Sequence, residues 1–335
     1  MNFSPQILRG TGVLAEISPK LENYVVFISE LEWDSFQQFL EKEPFDLIQL
    51  SNLEESQLEV FADNIEDSEY VLGVGGSMGI EAAKFVAFQK GRKLITIPGS
   101  LASSEYANPR VRAFNYEQEQ IFGEISPEVL VLDFQLLGEI PPDIHAEGLT
   151  ELLAMHTAVF DWEHAKAQGK SKDHFSHKAI DEAKQILSDL EVRVGEISMG
   201  TERGLEALVD AQLKQREICL EVENERVKRG SEHVFKQFLE EQSQQSYEPA
   251  GLLALCTLLM ARLQNNQADS LYQQLKESGI FFQPAHLGLQ PPQLARSLQD
   301  LRYYVERRQG LPYTCLNDAY IDEEWVFEMI QDLDF

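Results

Sequence analysis

The first 143 residues alternate short apolar runs with stretches of helical spacing, and this alternation limits the fold more than any other feature of the sequence. The apolar runs are rich in Val, Ile and Leu and lack polar–apolar alternation, so we expect strands that are covered on both faces. Helices between such strands indicate a mostly parallel sheet. The predicted strands are residues 24–29, 46–50, 70–74, 93–97 and 128–132, and the predicted helices are 33–42, 54–65 and 80–89.

After the proline pair Pro141–Pro142 the pattern becomes helical almost throughout. Apolar residues recur at three- and four-residue spacing, and glycines and prolines separate the stretches. The sequence therefore predicts two domains: an α/β domain of the nucleotide-binding type at residues 1–143 and an all-α domain at 144–335. The predicted helices of the second domain are residues 148–167, 174–192, 204–220, 233–241, 249–263, 268–278, 291–304 and 322–333.

The strongest local motif is a glycine-rich turn. Residues 70–84 read YVLGVGGSMGIEAAK, in which a predicted strand runs into Gly73, Gly75 and Gly76, and Ser77 precedes a predicted helix. Glycines allow a ligand to approach the backbone, and the N-terminus of a helix attracts anions through its free N–H groups. The pattern predicts a phosphate-binding turn. A tight strand–helix turn without a ligand is the alternative, since the spacing departs from a strict GxGxxG.

A second loop lies at the end of the next predicted strand. Residues 95–109 read ITIPGSLASSEYANP, so the hydroxyl groups of Ser100, Ser103 and Ser104 follow that strand. Open α/β sheets bind their ligands outside the carboxyl ends of the strands. A ligand loop and an ordinary polar connection both fit this segment.

Charge and composition exclude several classes of partner. Lys and Arg number 28 and Asp and Glu number 56, which gives a formal charge of −28. A surface of this charge repels phosphate backbones and anionic lipid headgroups, which argues against nucleic acid or a membrane as the main partner. Three cysteines are too few for a disulfide framework. With neither a signal-peptide pattern nor a long apolar run, we expect a cytoplasmic protein.

Taken together, the motifs resemble those of the superfamily of 3-dehydroquinate synthase, glycerol dehydrogenase and the iron-containing alcohol dehydrogenases. The most similar branch is sn-glycerol-1-phosphate dehydrogenase. The phosphate turn of the superfamily reads GGGxxxDxAK, where this chain has Glu81 in place of the aspartate and keeps Lys84. The resemblance covers most of the chain, and its other matching segments are residues 7–17, 97–109, 127–141, 148–162, 230–233 and 253–264.

The resemblance implies a dehydroquinate synthase-like fold, NAD or NADP as cofactor, and a divalent metal, zinc or iron, that polarises the oxygen of the substrate. One acidic residue and two histidines hold the metal in the superfamily. The matching first two ligands are Glu151 and His233. The third ligand's motif, HGE, is replaced by Pro249-Ala250-Gly251, so Glu248 is the remaining candidate.

Two further positions depart from the superfamily. The second histidine of its HxxxH motif aligns with Gln237, whose amide cannot relay a proton as imidazole does. The aspartate of its SND motif aligns with Ser104. We keep both, with Glu151 and His233, as candidate catalytic residues. The site is interpreted either as a metal site of altered preference or as one that has lost the metal, since catalytic zinc normally needs three protein ligands.

Five further charged residues are candidates for binding a substrate or cofactor. Arg110 and Arg112 follow the serine loop and are candidates for binding an anionic substrate group, with pairing to surface carboxylates as the alternative. Lys228 and Arg229 precede the GSEH motif and either serve a phosphorylated substrate or lie on a solvated helix end. Glu30 ends the first predicted strand, where an acidic residue binds the adenosine ribose in many dinucleotide folds.

Three functions follow from this sequence. The leading one is hydride transfer between NAD(P) and a small polyol or polyol phosphate. The second is a non-catalytic nucleotide-binding relative, a scaffold or partner-binding subunit, that has lost the metal. The third is a sugar-phosphate lyase or cyclase of the dehydroquinate synthase type, which Glu151 alone favours. A homo-oligomer or a protein partner fits each of them. The candidate cofactor-binding residues are Gly73, Gly75, Gly76, Ser77, Glu81, Lys84, Ser100 and Glu30.

Overall fold

The computed structural model describes residues 5–30, 32–65, 68–115, 118–243 and 245–333. The chain divides into two compact units. The first comprises Met1–His145 and Gly200–Leu205, and the second comprises Ala146–Met199 and Glu206–Phe335. The glycine turn and the serine loop thus lie in the first unit, whereas the predicted metal ligands lie in the second.

A parallel sheet is the centre of the first unit. Its strands are β1 Gln6–Gly10, β2 Tyr24–Ser29, β3 Asp46–Leu50, β4 Tyr70–Gly75 and β5 Lys93–Pro98, together with a strand at Val129–Asp133 that is numbered β8. They lie in the order β1-β8-β5-β4-β2-β3, and every neighbouring pair is parallel. The predicted mostly parallel sheet is confirmed.

Both faces of this sheet are covered, as the uniform apolar runs predict. Along β2, Val25 and Phe27 pack into one apolar cluster, whereas Tyr24, Val26 and Ile28 pack into another. The first cluster also contains the apolar side of the helix that follows β4. The helices of this part of the chain are α1 Val13–Ile17, α2 Trp33–Phe36, α3 Glu55–Asn64, α4 Ser77–Lys90 and α5 Phe134–Gly138.

An antiparallel pair, β6 Arg110–Asn115 and β7 Gln118–Glu124, is absent from the sequence prediction. In β6, Val111 and Ala113 are fully buried, whereas Arg110 and Arg112 are half-buried. This short alternation is typical of a strand with one covered face. Arg110 and Arg112, which the sequence predicted to follow the serine loop, therefore lie on a strand.

The second unit is helical, as predicted. Its most buried helix begins at Pro249, whose ring suits the first turn of a helix, and carries apolar residues on all sides. The single helix predicted at 148–167 is wrong, because the helix is interrupted at Ala154. The helices after residue 141 are α6 Pro142–Leu153, α7 Met155–Ala167, α8 His177–Glu191, α9 Val194–Ser198, α10 Glu202–Val222, α11 Ser231–Ser243, α12 Pro249–Leu263, α13 Ala268–Glu277, α14 Pro291–Arg307 and α15 Glu323–Gln331.

Within the described residues, no helix combines the length and the apolar character needed to cross a membrane.

Candidate functional site

The glycine turn connects β4 to α4, and its glycines serve different purposes. Gly75 has a φ of +85°, a conformation that L side chains rarely adopt. A Cβ on Gly79 would lie 2.2 Å from the carbonyl oxygen of Val74, and one on Gly73 would lie 2.8 Å from the Cβ of Ala83. Gly73 and Gly79 thus let the helix pack closely on its strand, whereas Gly75 shapes the turn itself.

The first turn of α4 has no side-chain cap. Its N-cap residue, Gly76, has no side chain that could accept from its N–H groups. Ser77, the first residue of the helix, is exposed. Because the first N–H groups of a helix lack partners within the helix, and the helix dipole is positive there, this end of α4 attracts an anion.

Glu32 lies against the glycine turn, a placement that the sequence prediction missed. Its Oε1 accepts a hydrogen bond of 2.9 Å from the N–H of Gly76. Its Oε2 is buried and has no hydrogen-bond partner among the residues described. Burial raises the pKa of the Glu32 carboxyl, against the lowering effect of its backbone hydrogen bonds. The predicted residue, Glu30, is exposed, and its N–H donates to the carbonyl of Leu50.

The loop after β5 passes directly over the turn. The N–H of Gly99 donates to the carbonyl of Gly75 at 2.9 Å, and a Cβ on Gly99 would lie 2.9 Å from the Cα of Gly75. Ser100 follows at once and is half-buried. Ser104 is buried further along, where its carbonyl accepts from the N–H of Ala107. The structure therefore brings Ser100 near the turn. Ser104 is buried, and its carbonyl contributes a backbone hydrogen bond within the loop.

Glu81 and Lys84 lie beneath the turn rather than on its open side. The ammonium of Lys84 donates to the carbonyls of Glu105, Asn108 and Arg110 at 3.3, 3.0 and 3.1 Å. It also pairs with the carboxylate of Glu81, and both side chains are almost fully buried. All their polar contacts are thus with the protein. Both are candidate cofactor-binding residues from the sequence, and in the structure their charged groups are bound by the protein itself.

Arg112 completes this buried network. Its guanidinium pairs with Glu81, Glu105 and Glu119. Burial raises the pKa of Glu81, although Lys84 and Arg112 oppose that shift, and burial lowers the pKa of Lys84. The guanidinium is therefore occupied by carboxylates of the protein, which is the alternative that the sequence left open for it.

In the second unit, His233 is held by its neighbour in sequence. Its Nδ1 donates to Oε1 of Glu232 at 2.8 Å. Glu232 is fully buried, and its two oxygens also accept from the N–H of Gly230 at 2.6 Å and from the hydroxyl of Thr157 at 2.7 Å. Such a carboxylate fixes the ring orientation of a histidine and directs its other nitrogen outward. The GSEH motif could have indicated this carboxylate, but the sequence prediction used only its histidine.

The glycine of the GSEH motif has a packing reason. A Cβ on Gly230 would lie 2.6 Å from Oδ2 of Asp161 and 2.7 Å from the Cα of Ala158. Asp161 is fully buried and accepts from the N–H groups of Ser231 and Cys315 at 2.6 and 2.7 Å. Burial and the nearby charge of Glu232 raise the pKa of Asp161. These contacts fix the start of α11 and hence the position of His233.

Glu151 lies beside the cation of Lys228. Their charged atoms, Oε2 and Nζ, are 3.9 Å apart. Burial acts to raise the pKa of Glu151, but the charges of Lys228 and His233, followed by those of Arg229 and Lys236, lower it below its usual value. The described residues thus combine a carboxylate, an oriented imidazole and an ammonium group in one part of the second unit.

The donor set does not fit a divalent metal. Glu151 and the free ring nitrogen of His233 are two donors where three are needed. Both carboxylate oxygens of Glu248 accept from the first N–H groups of α12, those of Ala250 and Gly251. Gln237 is also turned elsewhere, since its amide donates to Glu241 at the surface. No group of three His, Cys, Asp or Glu side chains suited to a metal occurs in the described part of the chain.

Comparisons with known proteins agree with this architecture. No protein-family model matches the chain. A protein named glycerol-1-phosphate dehydrogenase [NAD(P)+] from Korarchaeum cryptofilum is 25% identical over 261 residues, covering 75% of this chain and 81% of the relative. Its namesake from Hyperthermus butylicus is 23% identical over 251 residues, covering 72% and 71%. A probable glycerol dehydrogenase from Sinorhizobium meliloti has a TM-score of 0.69 at 15% identity, covering 98% of this chain and 96% of that one.

These similarities confirm the resemblance at two levels. The chain has the fold of the superfamily that contains glycerol dehydrogenase and the iron-containing alcohol dehydrogenases. Within that superfamily, its sequence relatives are those of the glycerol-1-phosphate dehydrogenase branch.

Proposed function

We propose that the chain is an NAD(P)-dependent oxidoreductase that interconverts a hydroxyl and a carbonyl group of a small polyol or polyol phosphate. The first unit binds the nucleotide and the second unit carries the groups that act on the substrate. Two relatives named for this type of reaction support the assignment over 72% and 75% of the chain. When bound, the nicotinamide supplies the hydride donor or acceptor.

The observation that carries this proposal is the unsatisfied carboxylate at the glycine turn. Glu32 Oε2 is buried without a hydrogen-bond partner in the described structure. A buried acceptor of this kind costs free energy unless a donor reaches it. A ribose hydroxyl is such a donor, and the first N–H groups of α4 would hold the diphosphate of the same molecule. Gly75, Gly76, Ser77 and Ser100 would line this nucleotide, whereas Glu81 and Lys84 would support the turn from below.

The nucleotide site is tested by comparing two acidic residues. We expect Glu32→Ala to weaken NADH binding by ~10-fold, as for the loss of a hydrogen bond to a charged group. Glu30→Ala should leave NADH binding unchanged, because its exposed side chain does not reach the turn. Fluorescence titration of both variants with NADH and NADPH measures this. A loss confined to the Glu30 variant would restore the residue predicted from the sequence.

The reaction is tested by following NADH and NADPH consumption with dihydroxyacetone, dihydroxyacetone phosphate and glyceraldehyde phosphate. Turnover with at least one of them is expected. Binding of NADH without turnover of any would contradict the proposed oxidoreductase.

Binding of NADH without turnover is the result expected of a non-catalytic relative. Two observations favour this second candidate: the capping role of Glu248 and the outward pairing of Gln237. Its own prediction is a stable protein partner that is recovered with the nucleotide-loaded chain. A pull-down in which partner recovery is unaffected by Glu32→Ala would count against it.

A further inference from the structure

We propose that Lys228 supplies, beside Glu151 and His233, the positive charge that the superfamily's metal supplies to the oxygen of the substrate. The chain then acts without a divalent metal. This inference rests on the proposed oxidoreductase function and assigns the group that polarises the reacting oxygen.

The first step is the distance between Lys228 and Glu151. At 3.9 Å, the Nζ and Oε2 atoms attract each other by charge but are beyond the ~2.7–3.2 Å of a hydrogen bond. The side chain of Lys228 makes no hydrogen bond to any residue that the structure describes. Its N–H groups are therefore left for another acceptor, and an oxygen of a ligand is one that fits.

The cations near Lys228 are paired with carboxylates, whereas Lys228 is not closely paired. Arg229 pairs with Glu225, and Lys236 pairs with Glu240 at 2.7 Å. Lys228 has only the loose contact to Glu151 in the described structure. Its side chain is 16% exposed, so solvent screens its charge only partly. The chain as a whole has a formal charge of −28, so a cation without a close carboxylate partner is unusual in it.

Lys228 also disfavours a metal ion beside Glu151 and His233. A divalent cation held by Glu151 and His233 would lie close to the ammonium of Lys228 and would be repelled by it. The same place favours an oxygen that carries negative charge. The missing third ligand and the added cation therefore point to the same conclusion.

The chemistry balances without a metal. In the oxidative direction, the Lys228 ammonium hydrogen-bonds the substrate oxygen and stabilises the negative charge that develops there. Nε2 of His233, whose ring is fixed by Glu232, accepts the hydroxyl proton. When bound, NAD(P)⁺ would be the acceptor for the hydride of the carbinol carbon, whose C–O bond then becomes a carbonyl. Reduction of the carbonyl uses the same groups in reverse.

The test uses full-length protein that has been dialysed against a chelator and shown by elemental analysis to be free of transition metal. We expect this protein to turn over its substrate. Lys228→Met should lower kcat by ~100-fold, as for loss of a preorganised charge on a reacting oxygen, and Lys228→Arg should retain part of the activity. Lys184→Met is the matched control, because Lys184 pairs with Glu163 on the surface of the same unit. A loss confined to KM would instead indicate that Lys228 binds a substrate phosphate, and would overturn the proposal.

Metal binding gives a readout that needs no turnover. Titration with Zn²⁺ should show weak binding to the unmodified chain and tighter binding to Lys228→Met, because a repelling charge has been removed. Tight binding to the unmodified chain that Glu151→Gln abolishes would overturn the inference, as would metal-free protein that becomes active only when zinc, iron or nickel is added. If neither form turns over substrate, the proposed function fails, and the zinc titration still decides the role of Lys228. Circular dichroism confirms that each variant is folded.

Discussion

Each unit contains a glutamate next to a lysine. The two pairs differ in burial, in the distance between the two charged groups and in the hydrogen bonds of the lysine. In the first unit, the side chains of Glu81 and Lys84 are 3% and 1% exposed, and Lys84 also donates to three backbone carbonyls. In the second unit, the side chains of Glu151 and Lys228 are 37% and 16% exposed and 3.9 Å apart.

The pKa shifts of the two glutamates show the same contrast. Burial prevails at Glu81 and raises its pKa, in spite of two adjacent cations. At Glu151, the charges of the surrounding cations outweigh burial and lower the pKa. The first pair is saturated by contacts with the protein and holds a loop in place. The second pair has hydrogen-bonding capacity left over, which is what a ligand requires.

The largest effect is expected where the saturated pair is broken. Lys84→Met leaves the buried carboxylate of Glu81 without its nearest cation and removes three hydrogen bonds, so unfolding should become easier by ~3–5 kcal/mol. Urea denaturation measures this. Lys90→Met on the same helix is the control, because its partner Asp63 is exposed. A loss equal to that of the control would mean that the network does not support the fold.

A smaller effect is expected at the edge of the same network. Arg112→Met removes the guanidinium from Glu81 and Glu105 but leaves Lys84 in place. The free energy of unfolding should fall by ~1–3 kcal/mol, as for the loss of charged hydrogen bonds. If this loss exceeded that of Lys84→Met, the arginine rather than the lysine would be the main partner of Glu81. Urea denaturation of the two variants side by side decides between them.

A weaker effect still is expected in the second unit. Lys228→Met should change the free energy of unfolding by less than ~1 kcal/mol, because its contact to Glu151 is long and partly solvated. If this variant were as unstable as Lys84→Met, Lys228 would be a structural residue and the two pairs would not differ in their use.

The smallest effect concerns pH and salt. Because the pKa of Glu151 lies below its unfolded value of 4.5, its ionised form stabilises the fold above that pH, and this contribution is lost as the pH falls through the folded-state value. Carbon-13 NMR of the Glu151 carboxyl group should show titration below 4.5 and a shift towards 4.5 in Lys228→Met or in high salt. If neither Lys228→Met nor high salt shifted the titration of Glu151, Lys228 would not act on Glu151.

Local pattern predicted most of the fold. The strands at 24–29 and 46–50 agree with the structure to the residue, and those at 70–74 and 93–97 extend by one residue. The helix after the glycine turn begins at Ser77 rather than at residue 80, because the turn closes within Gly75 and Gly76. The antiparallel pair β6–β7 was missed, since a strand of six residues with only two buried positions carries little signal.

The site was less accessible to sequence reasoning, since it depends on the direction of individual side chains. Glu30 and Glu32 both follow β2, and only the folded chain shows that Glu32 reaches Gly76. Glu81 and Lys84 are three residues apart on a helix, a spacing usually found in exposed ion pairs. Their burial follows from the packing of β6 and its loop against α4.

Residue pattern alone indicated the parallel sheet, the helical second part and the glycine turn, and it showed that position 249 holds a proline, which cannot bind a metal. These depend on hydrophobic periodicity, on backbone conformation and on the chemistry of single side chains, all of which are local. The folded structure was needed to show which charged groups are closely paired and which are not. That depends on distances between residues far apart in the chain, such as the 3.9 Å between Glu151 and Lys228, because an ammonium group serves the fold or a ligand according to the acceptors packed around it.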